Sequence, residues 1–236
     1  MSATGRNLAG RERHEGDFYE TPAWCTRSIL PHVVKCTARN ANARRCTRLL
    51  GHADDHAEPG CNFGWHPSGD FFHVLDAGSG TGAIGRVVKE DFHVETVVEG
   101  VELDEGRRGI AMAYDHDRIR YRGGSFFDVT TRGVFQTANG PKSRKWDLVI
   151  SNPPYVDAEG FVTHALRIAE VSCFLLRLNW LASKKRAAFH REHPADVYVL
   201  PRRPSFTNGG TDATEYAWFV WGEGRGNRWF LLDVPK

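Results

Sequence analysis

Seven residues, Asp76-Ala-Gly-Ser-Gly-Thr-Gly82, stand between a short apolar run, Phe71 to Leu75, and a segment of helical spacing, Ala83 to Phe92. A strand that stops at a carboxylate, turns through three glycines and enters a helix is a strong constraint on the fold. Glycines let the backbone take positive φ and come close to a ligand. The helix start that follows offers unpaired N–H groups suited to a carboxylate or phosphate. Gly80, Gly82 and Gly85 also satisfy G-x-G-x-x-G, the dinucleotide fingerprint. The turn by itself therefore leaves the ligand open.

The chain around the turn alternates between two periods. Val94 to Val101 is β-branched and reads as a strand, Gly106 to Tyr114 as a helix, and Ile119 to Phe127 holds a short strand. Trp146 to Ile150 is a strand, Thr163 to Val171 a helix, Cys173 to Leu178 a strand, and Val197 to Leu200 and Tyr216 to Trp221 two more. Upstream, Thr21-Pro22 has cap and first-turn chemistry for a helix whose stripe is Trp24, Ile29, Val33 and Val34. Strands alternating with helices predict a mostly parallel sheet covered on both faces. The last two strands lack a helix between them and predict an antiparallel hairpin at one edge. Residues 1–16 read as a flexible lead-in and 17–236 as one domain, with a Cys/His-rich insertion at about 36–70.

A second motif, Ser151-Asn152-Pro153-Pro154-Tyr155, follows the Trp146 to Ile150 strand. It falls at the carboxyl edge, where open α/β sheets bind ligands. The prolines fix φ and lack N–H donors, so their carbonyls and the Asn152 amide oxygen remain as acceptors. Tyr155 offers a face for stacking. Acceptors on the two hydrogens of an aromatic amine localise its delocalised lone pair, which is what makes that nitrogen attack. Asp76 stands where a carboxylate reaches a ligand's ammonium group. Glu102 closes the next strand, where it can accept from both ribose hydroxyls.

With both motifs in hand, the chain resembles the class I N6-adenine and N4-cytosine methyltransferases that carry Asn-Pro-Pro-Tyr. Asp17-Phe-Tyr-Glu-Thr-Pro22 is similar to the family's first motif, and its place before the glycine turn is the gamma-type order of small phage and bacterial members. The resemblance covers roughly residues 17–35 and 71–221. It implies a Rossmann-like class I fold and S-adenosylmethionine as cofactor, held by Tyr19, Thr21, Pro22, Asp76, Gly78, Gly80, Glu102 and Asn152. Asp128, or Ser125 with Phe126 packed on the ring, would meet the cofactor's adenine. Asn152, Pro153, Pro154 and Tyr155 would be catalytic, passing a methyl in line to N6 of a flipped adenine in DNA, as in restriction-modification systems. RNA adenine, N4 of cytosine and a protein glutamine amide share the planar nitrogen and stay open. So does an inactive nucleic-acid-binding module. An NAD enzyme would leave Asn152 to Tyr155 without a role.

Net charge is only +2, so any polyanion contact has to come from local clusters: Arg44-Arg45, Arg107-Arg108, Lys142 to Lys145, Lys184 to Arg186 and Arg202-Arg203. Without a large recognition domain, base recognition falls to the insertion and to the loops Thr131 to Lys145 and Ala182 to Pro194. Five cysteines and no apolar signal core predict a cytoplasmic protein with reduced thiols and no membrane span. Cys36, Cys46, His52 and His56 form a set suited to a structural zinc, with Cys61 in reserve; the plainer reading is a polar loop. His164, His190 and His193 read as exposed, and Trp218 and Trp221 as core.

Overall fold

All six residues of β1 (Phe72–Ala77) are buried except the half-buried His73, as a strand covered on both faces requires. The computed structural model describes residues 20–33, 71–91, 96–115, 117–137, 140–206 and 213–233. In it β1 lies between β2 (Thr96–Glu102) and β6 (Trp146–Ser151), parallel to both. Beyond β2 comes β3 (Ile119–Gly123), and beyond β6 comes β7 (Ala169–Arg177), again parallel. Strand β9 (Tyr216–Gly222) runs antiparallel between β7 and β8 (Asp196–Val199). Outermost is β10 (Trp229–Leu231), parallel to β8. The eight strands stand in the order β10-β8-β9-β7-β6-β1-β2-β3.

Two apolar clusters cover the sheet, and the strand residues divide between them by alternation. Val74, Leu148, Ile150, Cys173, Leu175, Trp218 and Val220 join α1 (Ala23–Val33) and α2 (Ala83–Asp91). Leu75, Val149, Phe174, Leu176, Phe219 and Trp221 face α4 (Ala158–Ile168). Ile29 and Val33 lie in the first cluster as their spacing predicts, while Trp24 is only partly buried; Val34 falls outside the described residues. Trp218 and Trp221 are core, with indole N–H groups donating to Cys25 O and His193 O, each at 2.9 Å. Cys25 and Cys173 are buried free thiols. Helix α3 (Glu105–Met112), capped by Asp104, follows β2.

The mostly parallel α/β architecture is the one the alternation predicts, but four details differ. The antiparallel pair β8 and β9 is not the edge, because β10 lies outside it. The helix before β7 is Ala158–Ile168 rather than 163–171, and β7 begins at Ala169. Gly160 hid that start, since its low helix propensity masks a buried stripe of Phe161, Val162, Ala165 and Ile168. His164 is buried, not exposed: Nε2 pairs with Val129 O at 2.8 Å and Nδ1 with Arg167 at 3.0 Å. Desolvation, and then the Arg167 charge, hold its pKa below the ordinary imidazole value.

The fourth difference concerns Thr131 to Lys145, which is no loose loop. It holds a separate hairpin of β4 (Val134–Thr137) and β5 (Gly140–Ser143), antiparallel to each other. The ladder continues below it through Arg132 and Arg144, and Trp146 Nε1 donates to Thr130 O at 3.0 Å. The hairpin leads into the amino end of β6, whereas Asn152 follows the carboxyl end. About 20 Å of strand separates the two. Within Ala182 to Pro194, α5 (Ala187–Glu192) lays Phe189 and His190 against Trp180.

Buried Asp196 fastens the outer side of the sheet. It accepts from Gly226 N at 2.9 Å, Arg228 Nε at 3.0 Å and Arg228 Nη2 at 2.5 Å, which shapes the turn leading into β10. Asp196→Ala is expected to lower the unfolding free energy by about 2 kcal/mol through its lost charge-assisted hydrogen bonds, read as a lower denaturant midpoint.

Candidate functional site

The order of strands reverses between β1 and β6. Such a switch point opens a crevice at the carboxyl ends of the two strands. Register sets Asp76 opposite Ile150, so the glycine turn and the Asn152 motif leave the sheet side by side. The Ser151 hydroxyl donates to Ala77 O and ties the two strand ends together. Between the motifs lies a cleft lined among others by Asp76, Gly78, Gly80, Glu102, Asn152 and Pro154.

Gly78, Gly80 and Gly82 have φ of +66°, +56° and +82°, values that L side chains rarely adopt. The turn is held from below by Tyr121. Its ring crosses β2 at Gly100, and its hydroxyl donates to Gly82 O at 3.1 Å. A Cβ at Gly100, Gly85 or Gly82 would come 2.1, 2.5 or 2.7 Å from that side chain. Sequence reasoning missed Tyr121. The available signal was Gly100, a lone glycine inside a β-branched strand, which marks a close approach.

Two buried acids face the cleft. Glu102 is 3% exposed; it accepts from Gly80 N and from Asp104 N, both at 2.8 Å. A carboxylate has about four lone-pair sites, so these bonds orient it and leave it able to accept from a ligand's hydroxyls as well. Asp76 is 1% exposed and accepts from Gly85 N at 3.0 Å. Burial raises its pKa from 3.8 to about 7, the Gly85 bond opposes this, and the Glu102 charge adds to it. Ser79 also lines the cleft, and its buried hydroxyl has no hydrogen-bond partner among the described residues.

The segment before α1 forms the opposite lip. Thr21 Oγ1 accepts from Asn152 Nδ2 at 3.1 Å. Glu20 accepts from Thr81 Oγ1 at 3.0 Å and from Arg86 Nη2 at 3.1 Å, which straps this lip to the glycine turn. Tyr155 OH donates to Asn152 Oδ1 at 3.2 Å, so hydroxyls meet the Asn152 amide at both ends. The Tyr155 ring lies 5.9 Å from Tyr216 on β9, with the Arg177 guanidinium 4.7 Å from its centroid.

Thr21, Asp76, Gly78, Gly80, Glu102, Asn152, Pro153 and Pro154 therefore line one cleft. Pro22 and Thr21 also line a neighbouring groove beside α2. Asp128 is exposed, in a single helical turn capped by Ser125, and neither residue lines the cleft. Phe126 is core against Phe161 and His164 rather than a surface for a ligand ring. Tyr19, Cys36, Cys46, His52, His56 and Cys61 lie outside the described residues. Among the described residues no group of three or more potential metal ligands comes together, and no helix is long and apolar enough to cross a membrane.

No protein-family model matches the chain. Among curated proteins it is similar to the release factor glutamine methyltransferase of Aliivibrio fischeri, with 29% identity over 117 residues. That match takes in 47% of this chain and 33% of the relative, so the chain spans about a third of the relative's length. Among solved structures it is similar to a proposed RNA methyltransferase from Pyrococcus horikoshii: TM-score 0.50, 16% identity, 65% of this chain and 75% of that one. A proposed class I S-adenosylmethionine-dependent methyltransferase from Listeria monocytogenes matches at TM-score 0.49 and 13% identity, over 68% of this chain and 57% of that one. The fold is that of the class I methyltransferases.

The raised pKa of Asp76 has a measurable sign. Between the ordinary value of 3.8 and the folded value near 7, the native chain binds more protons than the unfolded one. The stabilisation is complete below the lower value and is lost as pH rises through the upper one. Stability of the ligand-free protein should fall between pH 5 and 7 by up to about 1.4 kcal/mol per pH unit. Melting temperatures across that range, compared with Asp76→Asn, check this; the variant should lose that part of the slope.

Proposed function

We propose that the chain is an S-adenosylmethionine-dependent N-methyltransferase, and that its substrate is the exocyclic N6 amine of adenine in DNA. One observation carries the reading. Asn152, Pro153 and Pro154 line one cleft with a glycine turn and two buried acids at the switch point of the sheet, and Tyr155, next in the chain, bonds to the Asn152 amide from outside that lining. The residues fit that cofactor. Glu102 suits the ribose hydroxyls, Asp76 in its ionised form suits the ammonium group, and the turn between Gly78 and Gly82 admits a close backbone approach. When bound, the cofactor supplies an electrophilic methyl group on a sulfonium.

The chain's own residues prepare the nucleophile. Asn152 Oδ1 has two lone pairs, so it can accept from Tyr155 and from an incoming amine together. The Pro153 carbonyl is the second acceptor. Two hydrogen bonds draw the amine toward pyramidal geometry and localise its lone pair, and Tyr155 supports the ring by stacking. The amine's proton passes to water after transfer. An adenine in a duplex has to leave its stack first.

A second reading rests on the Aliivibrio fischeri relative, whose name states a glutamine substrate. A glutamine amide is planar and offers the same two hydrogens to the same acceptors.

Incubation with methyl-labelled S-adenosylmethionine and unmethylated DNA, followed by digestion to nucleosides, tests the proposal. Label is expected in N6-methyladenine. Asn152→Ala should reduce it by about a hundredfold or more while the protein still binds cofactor. Label in a glutamine-containing peptide instead would move the assignment to the second reading. Bound cofactor without transfer to DNA, RNA or peptide would leave a binding module.

A further inference from the structure

Two aromatic side chains each carry a guanidinium, and each stands three residues beyond one member of the bonded Thr21–Asn152 pair. Trp24 follows Thr21 by three residues, and Arg202 sits 4.7 Å from its ring centroid. Tyr155 follows Asn152 by three residues, and Arg177 sits 4.7 Å from its centroid. Both rings are partly exposed and rest on the same core cluster. Arg177 ends β7, and Arg202 lies just beyond β8, a strand parallel in direction to β7. Four separate stretches of chain thus bring two such pairs to the carboxyl edge of the sheet.

Arginines lie on rings elsewhere in the molecule, and those contacts read as structural. Arg86 on Tyr114 also binds Glu20, and Arg132 near Trp146 faces Asp147. Arg228 beside Phe230 binds Asp196. Arg203, next to Arg202, is tied to Glu215 at 2.6 Å. Arg177 donates through Nε to Tyr216 Oη at 3.2 Å. What sets Arg177 and Arg202 apart is their place: both lie at the carboxyl edge of the sheet, on rings that follow the bonded Thr21–Asn152 pair in the chain.

We propose that these two arginine–aromatic pairs hold one nucleic-acid strand across the site, the rings stacking on bases and the guanidinium groups meeting the flanking phosphodiesters. The inference rests on the reading above and deepens it, because it selects nucleic acid over peptide. Aromatic faces interleaved with arginines are the general means of holding an unstacked strand. A guanidinium can stack on a ring and still present its in-plane donors to a phosphate. A peptide glutamine carries no phosphate to match two cations at this edge of the sheet.

The test uses the full chain with S-adenosylhomocysteine bound, and measures the affinity of an adenine-containing single-stranded oligonucleotide from 50 to 300 mM salt. Log affinity should fall linearly with log salt. Arg177→Met and Arg202→Met should each make the slope shallower by about 0.7, and the double variant by about twice that. Arg→Lys variants should keep the wild-type slope. Trp24→Leu should weaken binding about tenfold at every salt concentration and leave the slope alone. S-adenosylhomocysteine binding by each variant reports folding, and Arg→Gln replaces any Met variant that fails it. Unchanged slopes in both neutral variants of an enzyme that does methylate DNA would overturn this proposal and leave the function standing. Transfer to a glutamine peptide alone, with no salt-dependent binding of the oligonucleotide, would overturn both.

Discussion

The Tyr121 ring fills the space that glycines at positions 82, 85 and 100 leave open, and the glycine turn depends on that contact. Its hydroxyl reaches Gly82 O from beneath β2, so strand β3 supports the turn across its neighbour. The glycines thus have two separate duties. Gly78, Gly80 and Gly82 take backbone angles that side chains resist, while Gly85 and Gly100 make room for a ring. Without the ring, the space under the turn would be a void, and close-packed interiors tolerate few of those.

From that fixed turn the rest of the cleft is tied together by polar contacts between distant parts of the chain. Glu102 orients the turn through Gly80 N. Glu20 straps the lip before α1 to the same turn. Thr21 then reaches Asn152, and Asn152 reaches Tyr155. Each bond is modest alone, but together they join the ligand side of the cleft to the acceptor side. The burial that raises the pKa of Asp76 belongs to the same arrangement, because a carboxylate closed off from water is costly to ionise without a cation beside it.

The antiparallel half of the sheet contributes the other wall. Because β9 slots between β7 and β8, Tyr216 and Arg177 come to lie opposite each other, beside Tyr155. Asp196 and its arginines brace the far side of this half, away from the cleft.

Local chemistry in the sequence was enough for the alternation, the glycine turn, both acids and the Asn152 motif. Each is written in a few adjacent residues whose pattern has one physical use: period-two burial, positive φ, carboxylates at strand ends, prolines without N–H groups. The sequence could not show Tyr121 under Gly100, the Thr21–Asn152 bond across 131 positions, or the burial of His164. Those depend on which strands become neighbours, and strand order arises from packing the whole chain. The same holds for Thr131 to Lys145, whose composition suggests a loop near the substrate. Its connection to the amino end of β6 sends it to the opposite edge, because a parallel strand has to be entered from the side away from the cleft.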